Sequence, residues 1–326
     1  MTMTTQDRPK ILITGVGGML GTDLAKALKG DFEIVGLEKR RVTHLTVPHD
    51  LCDLTQARKT RDAILDHRPA VVIHTAALTD VDYCEEHHEE ALEHNFEATK
   101  NIVDASHEID APVIFYSTDY VFRGSKKGEY LETDVPDPVN FYGETKLRAE
   151  RYLMEKASRA LIFRITWLFG VYGRCFPKAI LCQAAEVKKM TVVNDQTGRP
   201  TYTRDVAQAM RQLLLAKKEV VFARDRQIFH LGNSGTVNWA DFARFIVKES
   251  GLDQVKVEDI PSTQLTRPAP RPLNSVLSLE KSGSVLGLQL RSWEEAAREF
   301  LSEWKEEKLA LESKQTAEAA AKENEP

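Results

Sequence analysis

The amino-terminal half of the chain alternates short apolar runs with longer amphipathic stretches, a pattern that predicts alternating strands and helices. Runs that predict strands occur at residues 10–14, 32–37, 70–77, 112–118 and 160–167. Stretches that predict helices occur at residues 22–28, 56–65, 84–105 and 142–156. Because the middle strands are apolar along their length, they suit a parallel sheet that is covered on both faces. The pattern predicts an α/β fold with a doubly wound parallel sheet.

A glycine-rich turn follows the first predicted strand. Gly15, Gly18 and Gly21 lie three residues apart, and a helix is predicted immediately after them. Such glycines let the backbone approach a pyrophosphate, and the N-terminus of the helix faces the anion. The spacing G-x-x-G-x-x-G departs from the standard G-x-G-x-x-G, so an ordinary glycine-rich turn is the alternative. We interpret the turn as a dinucleotide site in a Rossmann-like fold.

Charged residues of both signs follow the second predicted strand. The carboxylate of Glu38 suits the free ribose hydroxyls of NAD. Lys39, Arg40 and Arg41 suit the 2′-phosphate of NADP. Three cations outweigh one carboxylate, so the sequence favours NADP(H) and leaves NAD(H) open. A solvated charged loop is the alternative.

Polar and small residues end two further strands. Asp53 follows a short strand as a candidate partner for the adenine amino group, and Thr55 is predicted to cap the helix at 56–65. Ala76 and Ala77 close the next strand, where small side chains leave room for a cofactor. Because ligands gather at the carboxyl ends of parallel strands, we expect these residues to lie at one edge of the sheet.

The candidate catalytic residues come from a strand end and a helix. Thr118 ends the strand at 112–118, and Tyr142 and Lys146 lie four positions apart in the predicted helix at 142–156. That spacing places a phenol and an ammonium group one turn apart on one helix face. A nearby positive charge favours the phenolate, so we expect Lys146 to lower the pKa of Tyr142 and make it a useful proton donor. A chance Tyr-x-x-x-Lys pair is the alternative.

The predicted cofactor site combines the strand ends with the tyrosine and lysine. Its residues are Gly15, Gly18, Met19, Leu20, Gly21, Glu38, Lys39, Arg40, Arg41, Asp53, Leu54, Ala76, Ala77, Thr79, Tyr142 and Lys146. Histidines are not part of this site. We predict that His74 is a core residue and that His87, His88 and His94 lie on a solvated helix face.

The second half of the chain predicts a smaller, mixed C-terminal substrate lobe. A helix at 204–215 and a strand near 228–231 are expected to return to the sheet. The dinucleotide-binding domain is expected to span residues 1–170, and residues 203–232, approximately, are expected to rejoin its sheet. Residues 171–304 are expected to form mainly the substrate lobe, and residues 305–326 a charged tail. The tail is rich in Ala, Glu and Lys, which predicts a fraying helix or disorder.

Composition limits the classes of partner. The net charge is -5 and basic residues cluster only at residues 39–41, which argues against nucleic acid and favours a small-molecule partner. The four cysteines show no C-x-x-C spacing, so neither a zinc site nor a disulfide framework is predicted, and no metal is expected. Free thiols and the lack of an apolar run of membrane-spanning length favour a cytoplasmic protein without membrane contact.

Motifs over about residues 10–300 share one resemblance. They are GVGGMLG, TDVDYCE, NFEATKNI, STDYVFRG, FYGETKLRAE, FRITWLFG, NDQTGRPTYT and RPLNSVLSL. Together they resemble the dTDP-4-dehydrorhamnose reductases, a family of extended short-chain dehydrogenase/reductases. The resemblance implies that NAD(P)H delivers a hydride to the C4 ketone of a nucleotide-linked 4-keto-6-deoxy sugar. The substrate it implies most closely is dTDP-4-dehydro-L-rhamnose, which would give dTDP-L-rhamnose.

The resemblance also implies residue roles. Tyr142 would protonate the nascent alkoxide, while Lys146 would lower the pKa of that tyrosine and hold the nicotinamide ribose. Thr118, where many relatives have serine, would polarise the ketone through the same kind of hydrogen bond. Sugar-nucleotide dehydratases carry Thr-Asp-Glu, whereas Tyr120 follows Asp119 here, so dehydration is disfavoured.

Substrate contacts are predicted mainly from the resemblance. The predicted substrate-binding residues are Val81, Asp119, Tyr120, Trp167 and Arg271. Spacing alone makes Trp167 almost equally a core residue, and the resemblance favours contact with a sugar ring. Arg271 lies in a proline-rich segment, where a guanidinium group would suit diphosphate oxygens. The polar turn at 195–201 is compatible with a cleft wall and with a structural loop.

Two alternative functions stay open. One is a reductase or epimerase of another nucleotide sugar with the same Thr-Tyr-Lys chemistry. The other is a non-catalytic, NADP-binding regulatory subunit that resembles the β subunit of methionine adenosyltransferase. Some relatives dimerise through a metal ion such as Mg²⁺ bridged by C-terminal glutamates, and Glu299 and Glu303 lie in roughly that region. A homodimer is compatible with the resemblance, whereas the sequence does not support Mg²⁺.

Overall fold

The computed structural model describes residues 8–323, with side chains described as far as residue 308. The strands are β1 (Lys10–Thr14), β2 (Glu33–Glu38), β3 (His49–Leu51), β4 (Val71–His74), β5 (Val113–Thr118), β6 (Ala160–Ile165), β7 (Leu168–Phe169), β8 (Lys189–Val193), β9 (Thr197–Gly198), β10 (Thr201–Tyr202), β11 (Arg226–His230), β12 (Asn233–Ser234), β13 (Val237–Asn238), β14 (Lys256–Ile260) and β15 (Leu290–Ser292). The helices are α1 (Met19–Leu28), α2 (Ala57–His67), α3 (Val81–Glu86), α4 (His88–Leu92), α5 (Ala98–Glu108), α6 (Phe141–Lys156), α7 (Phe176–Glu186), α8 (Thr203–Ala216), α9 (Lys218–Val221), α10 (Trp239–Glu249) and α11 (Trp293–Glu323). Within the described chain, no helix has both the length and the apolar surface needed to cross a bilayer.

Seven parallel strands form the central sheet in the order β11-β6-β5-β4-β1-β2-β3. The chain starts in the middle of the sheet, adds β2 and β3 on one side, and then returns past β1 to add β4, β5 and β6 on the other. The strand order therefore reverses between β1 and β4, and ligands of open α/β sheets bind at such a switch point. The predicted Rossmann-like, doubly wound parallel sheet is confirmed.

Helices cover both faces of the sheet, which explains why its central strands are apolar. All positions of β4 and β5 are buried. Successive side chains of a strand point to opposite faces. Ile11 and Ile13 of β1 accordingly join a core with α1 and α8, whereas Leu12 joins a core with α2 and α5. The chain beyond residue 202 therefore contributes to the main core through α8 and extends the sheet through β11.

A second core lies outside the central sheet. It is formed by α7, α10 and the start of α11, next to the parallel pair of β8 and β14. Trp293 and Phe300, two turns apart in α11, are buried in it. The helix continues to Glu323 through most of the charged tail, and residues 324–326 lie outside the described chain.

Two local predictions were wrong. The helix predicted at 84–105 is divided into α3, α4 and α5, with a π-helical turn at Glu93–Glu97 between the last two. Such a turn has wider i to i+5 hydrogen bonding and interrupts a regular helix. Thr55 does not cap α2, because its hydroxyl donates a hydrogen bond to Oδ1 of Asp53 at 2.9 Å. This local side-chain contact competes with capping.

His74 is confirmed as a core histidine. Its Nδ1 lies 2.7 Å from the hydroxyl of Thr14, and its Nε2 lies 2.9 Å from the hydroxyl of Thr99. Burial lowers the pKa of His74 to about 3, and the charge of Lys146 acts in the same direction. The ring is therefore neutral at neutral pH and holds β4 to β1 and α5.

A buried ion pair joins α6 to the sheet. Arg164 of β6 donates to Glu150 of α6 from Nε to Oε1 at 2.9 Å and from Nη2 to Oε2 at 2.6 Å. The side chains are only 1% and 2% exposed. A bidentate pair has a narrow geometry, so it fixes the rotation of α6. Since Glu150 lies one turn after Lys146, the pair also fixes the direction of the lysine.

We expect Glu150→Ala to lower the free energy of unfolding by about 3–5 kcal/mol, because it leaves Arg164 buried and unpaired. The matched control is Glu144→Ala, which removes a partly exposed ion pair with Arg148 on the same helix. This control should cost less than about 1 kcal/mol. Urea denaturation of both variants measures the difference, and equal losses would contradict the structural role of the buried pair.

Candidate active site

Glycines allow the turn after β1 to pack closely against the sheet. Gly15 has a φ of +66°, and a Cβ atom there would lie 2.8 Å from the backbone of Ala76. A Cβ atom on Gly21 would lie 2.2 Å from the carbonyl oxygen of Gly15. Gly18 precedes α1 and has no side chain to accept hydrogen bonds from the first N–H groups of that helix. These N–H groups form a site for an anion, so the turn fits a pyrophosphate.

The first cavity lies beside this turn and has a volume of about 390 Å³. Its lining residues are Gly15, Gly18, Leu37, Glu38, Lys39, Arg40, Cys52, Asp53, Leu54, Thr75, Ala76, Ala77, Leu78, Glu90, His94 and Ala98. Most of the predicted cofactor residues of β1, β2, β3 and β4 are therefore brought together. Arg41 is not among them, and its side chain is exposed.

Two polar residues of this cavity were missed by sequence reasoning. Glu90 and His94 line it, although His94 was predicted to lie on a solvated face. His94 falls on the π-helical turn, which changes the direction of side chains relative to a regular helix. No sequence motif marked either residue, since a π-helical turn has no strong sequence signal.

The charged groups at the end of β2 are already ordered by local contacts. Glu38 Oε1 accepts a hydrogen bond from the backbone N–H of Gly17 at 3.1 Å. Lys39 Nζ lies 3.4 Å from Oδ2 of Asp53. Burial alone would raise the pKa of Asp53, but hydrogen bonds from Thr55 and the charge of Lys39 together hold it below its ordinary value. Asp53 is thus a carboxylate that holds a lysine at the cavity.

The second cavity continues from the first along the glycine turn and has a volume of about 570 Å³. Its lining residues are Gly18, Met19, Leu20, Gly21, Thr75, Ala77, Thr79, Val81, Tyr116, Ser117, Thr118, Asp119, Tyr120, Tyr142, Lys146, Ile165, Trp167, Leu168, Gly173, Arg174 and Trp239. Gly18, Thr75 and Ala77 line both cavities. The volume is within the range of small-molecule sites. All three catalytic candidates and four of the five predicted substrate residues line this cavity.

Close backbone packing places the catalytic candidates. Asn140 caps α6 by accepting a hydrogen bond from Gly143 N at 2.9 Å. A Cβ atom on Gly143 would lie 2.1 Å from the carbonyl oxygen of Tyr120, so α6 rests directly on the turn after β5. The Thr118 hydroxyl donates a hydrogen bond to Oδ1 of Asp119 at 3.0 Å, and it is close enough to Tyr142 to affect the pKa of the phenol. The phenol and the threonine hydroxyl can therefore contact one ligand oxygen.

The expected lowering of the Tyr142 pKa was wrong. Burial raises the pKa of Tyr142, and the nearby charge of Asp119 adds to the rise, whereas the neighbouring Thr118 hydroxyl opposes it. Burial lowers the pKa of Lys146 to about 7, with Glu150 opposing that shift. Its Nζ lies 4.0 Å from the ring centroid of Phe115. Burial dominates both shifts, because both groups lose hydration in the same cavity.

The aromatic wall of the second cavity depends on residues from distant segments. Trp167 has a φ of +48° and stacks on Trp239 with ring centroids 3.5 Å apart. A Cβ atom on Gly198 would lie 2.3 Å from Cε2 of Trp167, so a glycine is needed behind the ring. Trp167 is half-buried and lines the cavity rather than the core. Trp239 was not among the predicted site residues, and its stacking has no local sequence signal.

Arg271 lies beside the second cavity but does not line it. Its Nη1 donates to Oδ1 of Asp82 at 2.9 Å and to the carbonyl oxygen of Ala269 at 2.7 Å. It lines a smaller neighbouring cavity together with Arg267 and Gln196. The structure therefore does not place Arg271 in one cavity with Thr118, and Asp82 holds its guanidinium group by an ion pair.

The remaining candidates have structural contacts. In the turn at 195–201, Asp195 accepts hydrogen bonds from the backbone N–H and hydroxyl of Ser262, both at 2.8 Å. Glu299 and Glu303 form ion pairs with Arg204. Among the residues that the structure describes, no group of three or more histidine, cysteine, aspartate and glutamate side chains suits a metal ion.

We expect the unfolding free energy of the wild-type protein to rise relative to that of Lys146→Met between about pH 7 and pH 10. The lysine has its ordinary pKa of 10.5 when unfolded, whereas the pKa of Lys146 in the folded protein is about 7. Between these values the unfolded chain binds the additional proton, so stability increases with pH. Urea denaturation of both proteins over this range measures the effect. A pH-independent difference would mean that Lys146 stays charged when buried.

A Rossmann-like sheet whose edge unites a glycine turn with a Thr-Tyr-Lys set defines a nicotinamide-dependent oxidoreductase of the short-chain dehydrogenase/reductase class. Residues 9–306 match the family model described as RmlD substrate binding domain. The chain belongs to this family, that of the dTDP-4-dehydrorhamnose reductases.

Individual relatives are similar over almost their whole length. The chain is 33% identical to dTDP-4-dehydrorhamnose reductase of Escherichia coli (strain K12) over 90% of this chain and 97% of that protein. It is also 33% identical, over 90% and 97% of the two chains, to the spore coat polysaccharide biosynthesis protein SpsK of Bacillus subtilis (strain 168).

Solved structures agree with this assignment. The dTDP-4-dehydrorhamnose reductase of Clostridium acetobutylicum superposes with a TM-score of 0.82 at 32% identity, over 91% of this chain and 99% of that one. The Bacillus anthracis enzyme, whose structure is a complex with NADP, superposes with a TM-score of 0.81 at 29% identity over the same shares.

Proposed function

We propose that this protein uses NADPH to reduce the C4 ketone of a nucleotide-linked 4-keto-6-deoxy sugar, converting dTDP-4-dehydro-L-rhamnose to dTDP-L-rhamnose. The observation that supports this most is the position of Thr118, Tyr142 and Lys146 in a cavity that is continuous with the glycine turn. A cofactor bound at the turn and a sugar bound at the aromatic wall would meet beside these three side chains.

The cofactor would extend along both cavities. Its pyrophosphate fits the N-terminus of α1, where Gly15 and Gly21 leave no room for a Cβ atom. The adenosine half would occupy the first cavity, next to Asp53 and Leu54. The nicotinamide half would enter the second cavity past Met19, Leu20, Ala76, Ala77 and Thr79.

The preference for NADPH follows from the end of β2. Glu38 is turned towards Gly17 N, whereas Lys39 and Arg40 line the first cavity. Two cations at the ribose would attract a 2′-phosphate, and Asp53 keeps Lys39 in position for it. Arg41 lies further along the loop and would act only through long-range attraction.

The reaction needs a hydride, which a bound reduced nicotinamide supplies, and a proton from the protein. The high pKa of Tyr142 keeps the phenol protonated, which is the state from which an acid acts. An alkoxide is more basic than a phenolate, so transfer of the phenolic proton to it is downhill. Thr118 donates a hydrogen bond to the same oxygen, and protonated Lys146 stabilises the phenolate that forms.

The sugar would lie against the aromatic wall. Trp167 can pack on its ring, and Tyr120 and Val81 line the same cavity. Asp119 also lines this cavity and is buried, and burial raises its pKa to about 6. Since Tyr120 stands where a dehydratase would carry a carboxylate, the site supports reduction rather than elimination.

We expect purified protein to oxidise NADPH when supplied with dTDP-4-dehydro-L-rhamnose, with a higher kcat/KM for NADPH than for NADH. Absorbance of the reduced nicotinamide measures turnover directly, and a panel of other nucleotide-linked 4-keto sugars tests the base and the sugar. Preferential turnover of another member of the panel would reassign the substrate. Tight NADPH binding without turnover of any member would favour the non-catalytic regulatory function instead.

We expect Tyr142→Phe to lower kcat about 10²- to 10⁴-fold, because it removes the proton donor. The Kd for NADPH should change little, since the ring and the helix remain. Tyr152→Phe is the matched control, because Tyr152 lies on the same helix but does not line the cavity. Its hydroxyl donates a hydrogen bond to Oδ1 of Asp104 at 2.6 Å. Equal kcat values for the two variants would exclude Tyr142 as the acid.

A further inference from the structure

The second cavity contains a cation that the proposed reaction does not use. Among the described residues that line it, the cationic side chains are Lys146 and Arg174. Lys146 lies deep in the cavity beside the ring of Phe115, whereas Arg174 is exposed at its mouth. A sugar nucleotide and a dinucleotide cofactor both carry a diphosphate, whose oxygens a guanidinium group binds well.

We propose that Arg174 binds a diphosphate group in the second cavity. This inference rests on the proposed function, which supplies two ligands with that chemistry, the cofactor and the nucleotide sugar. It assigns to Arg174 the role that the sequence suggested for Arg271.

The two arginines differ in whether they are free to bind. Arg271 Nη1 is held by Asp82 at 2.9 Å and by the Ala269 carbonyl oxygen, and its side chain is only 10% exposed. In contrast, the guanidinium group of Arg174 has no hydrogen bond or ion pair with any residue in the described part of the chain. A diphosphate could therefore bind Arg174 without breaking an existing ion pair, whereas it would have to displace Asp82 from Arg271.

The segment that carries Arg174 is held against the cofactor turn. Gly173 has a φ of +78°, and a Cβ atom there would lie 3.5 Å from Cβ of Met19, at the first residue of α1. Its carbonyl oxygen accepts a hydrogen bond from Lys178 Nζ at 3.1 Å. Tyr172 stacks on His44 with ring centroids 5.3 Å apart and an interplanar angle of 7°. The backbone around Arg174 is thus fixed before any ligand binds.

This position allows either diphosphate to be the ligand. The N-terminus of α1 carries a partial positive charge, and Gly173 lies directly over it. A pyrophosphate on the glycine turn would be within the same positive field as Arg174. The diphosphate of a sugar packed on Trp167 would also lie near Arg174, because Trp167 and Arg174 line the same cavity.

The test compares the binding of two probes, NADPH and dTDP, to wild type and Arg174→Gln by isothermal titration calorimetry. We expect Arg174→Gln to raise one of the two Kd values about tenfold or more, since a hydrogen bond to a charged group is lost. A change for NADPH identifies the cofactor pyrophosphate, and a change for dTDP identifies the substrate diphosphate. Arg174→Lys should recover part of the affinity, because it retains the charge without the bidentate fork.

The control is Arg58→Gln on α2, whose side chain is 95% exposed and which should leave both Kd values unchanged. Kd values for Arg174→Gln within twofold of wild type for both probes would overturn the proposal. If Arg271→Gln raised the Kd for dTDP while Arg174→Gln changed neither Kd, the diphosphate would be assigned to Arg271 instead. Because these are binding measurements, absence of turnover in the wild type would count against the proposed function without deciding the role of Arg174.

Discussion

The candidate active site depends on the close packing of α6 against the carboxyl end of β5. A Cβ atom on Gly143 would lie 2.1 Å from the Tyr120 carbonyl oxygen, so only glycine allows this approach. Further along α6, the buried pair of Glu150 and Arg164 prevents rotation of the helix. With the helix fixed in position and rotation, the side chains of Tyr142 and Lys146 are held beside the strand end by rigid elements.

Burial in this packed site moves two pKa values in opposite directions. It raises that of Tyr142 and lowers that of Lys146, so both groups are less charged than in water. A nearby anionic ligand group would favour the protonated lysine, and the protonated lysine would then stabilise a phenolate. In the proposed reaction, ligand binding and proton donation would thus be coupled through the charge of one buried lysine.

The two ends of the site come from different kinds of structure. The cofactor end is formed by consecutive strand ends of the first half of the chain, at the switch point of the sheet. The aromatic wall is formed by Trp167 and Trp239, which lie far apart in sequence, with Gly198 behind the first ring. The segment around Arg174 connects the two ends, because Gly173 packs on the start of α1. Specificity for the sugar nucleotide can therefore change through these later segments without disturbing the sheet.

The sequence by itself determined the alternating strands and helices, the glycine turn and the one-turn spacing of Tyr142 and Lys146. Each is a local property, set by side-chain periodicity or by backbone freedom at glycine. Only the tertiary structure decided that Asp82 forms an ion pair with Arg271, that Arg174 lies at the mouth of the second cavity, and that a π-helical turn brings His94 to the first cavity. It also decided the direction of the Tyr142 pKa shift, which depends on burial and on Asp119. Partners, burial and charge environment are contributed by residues distant in sequence, so no local pattern could reveal them.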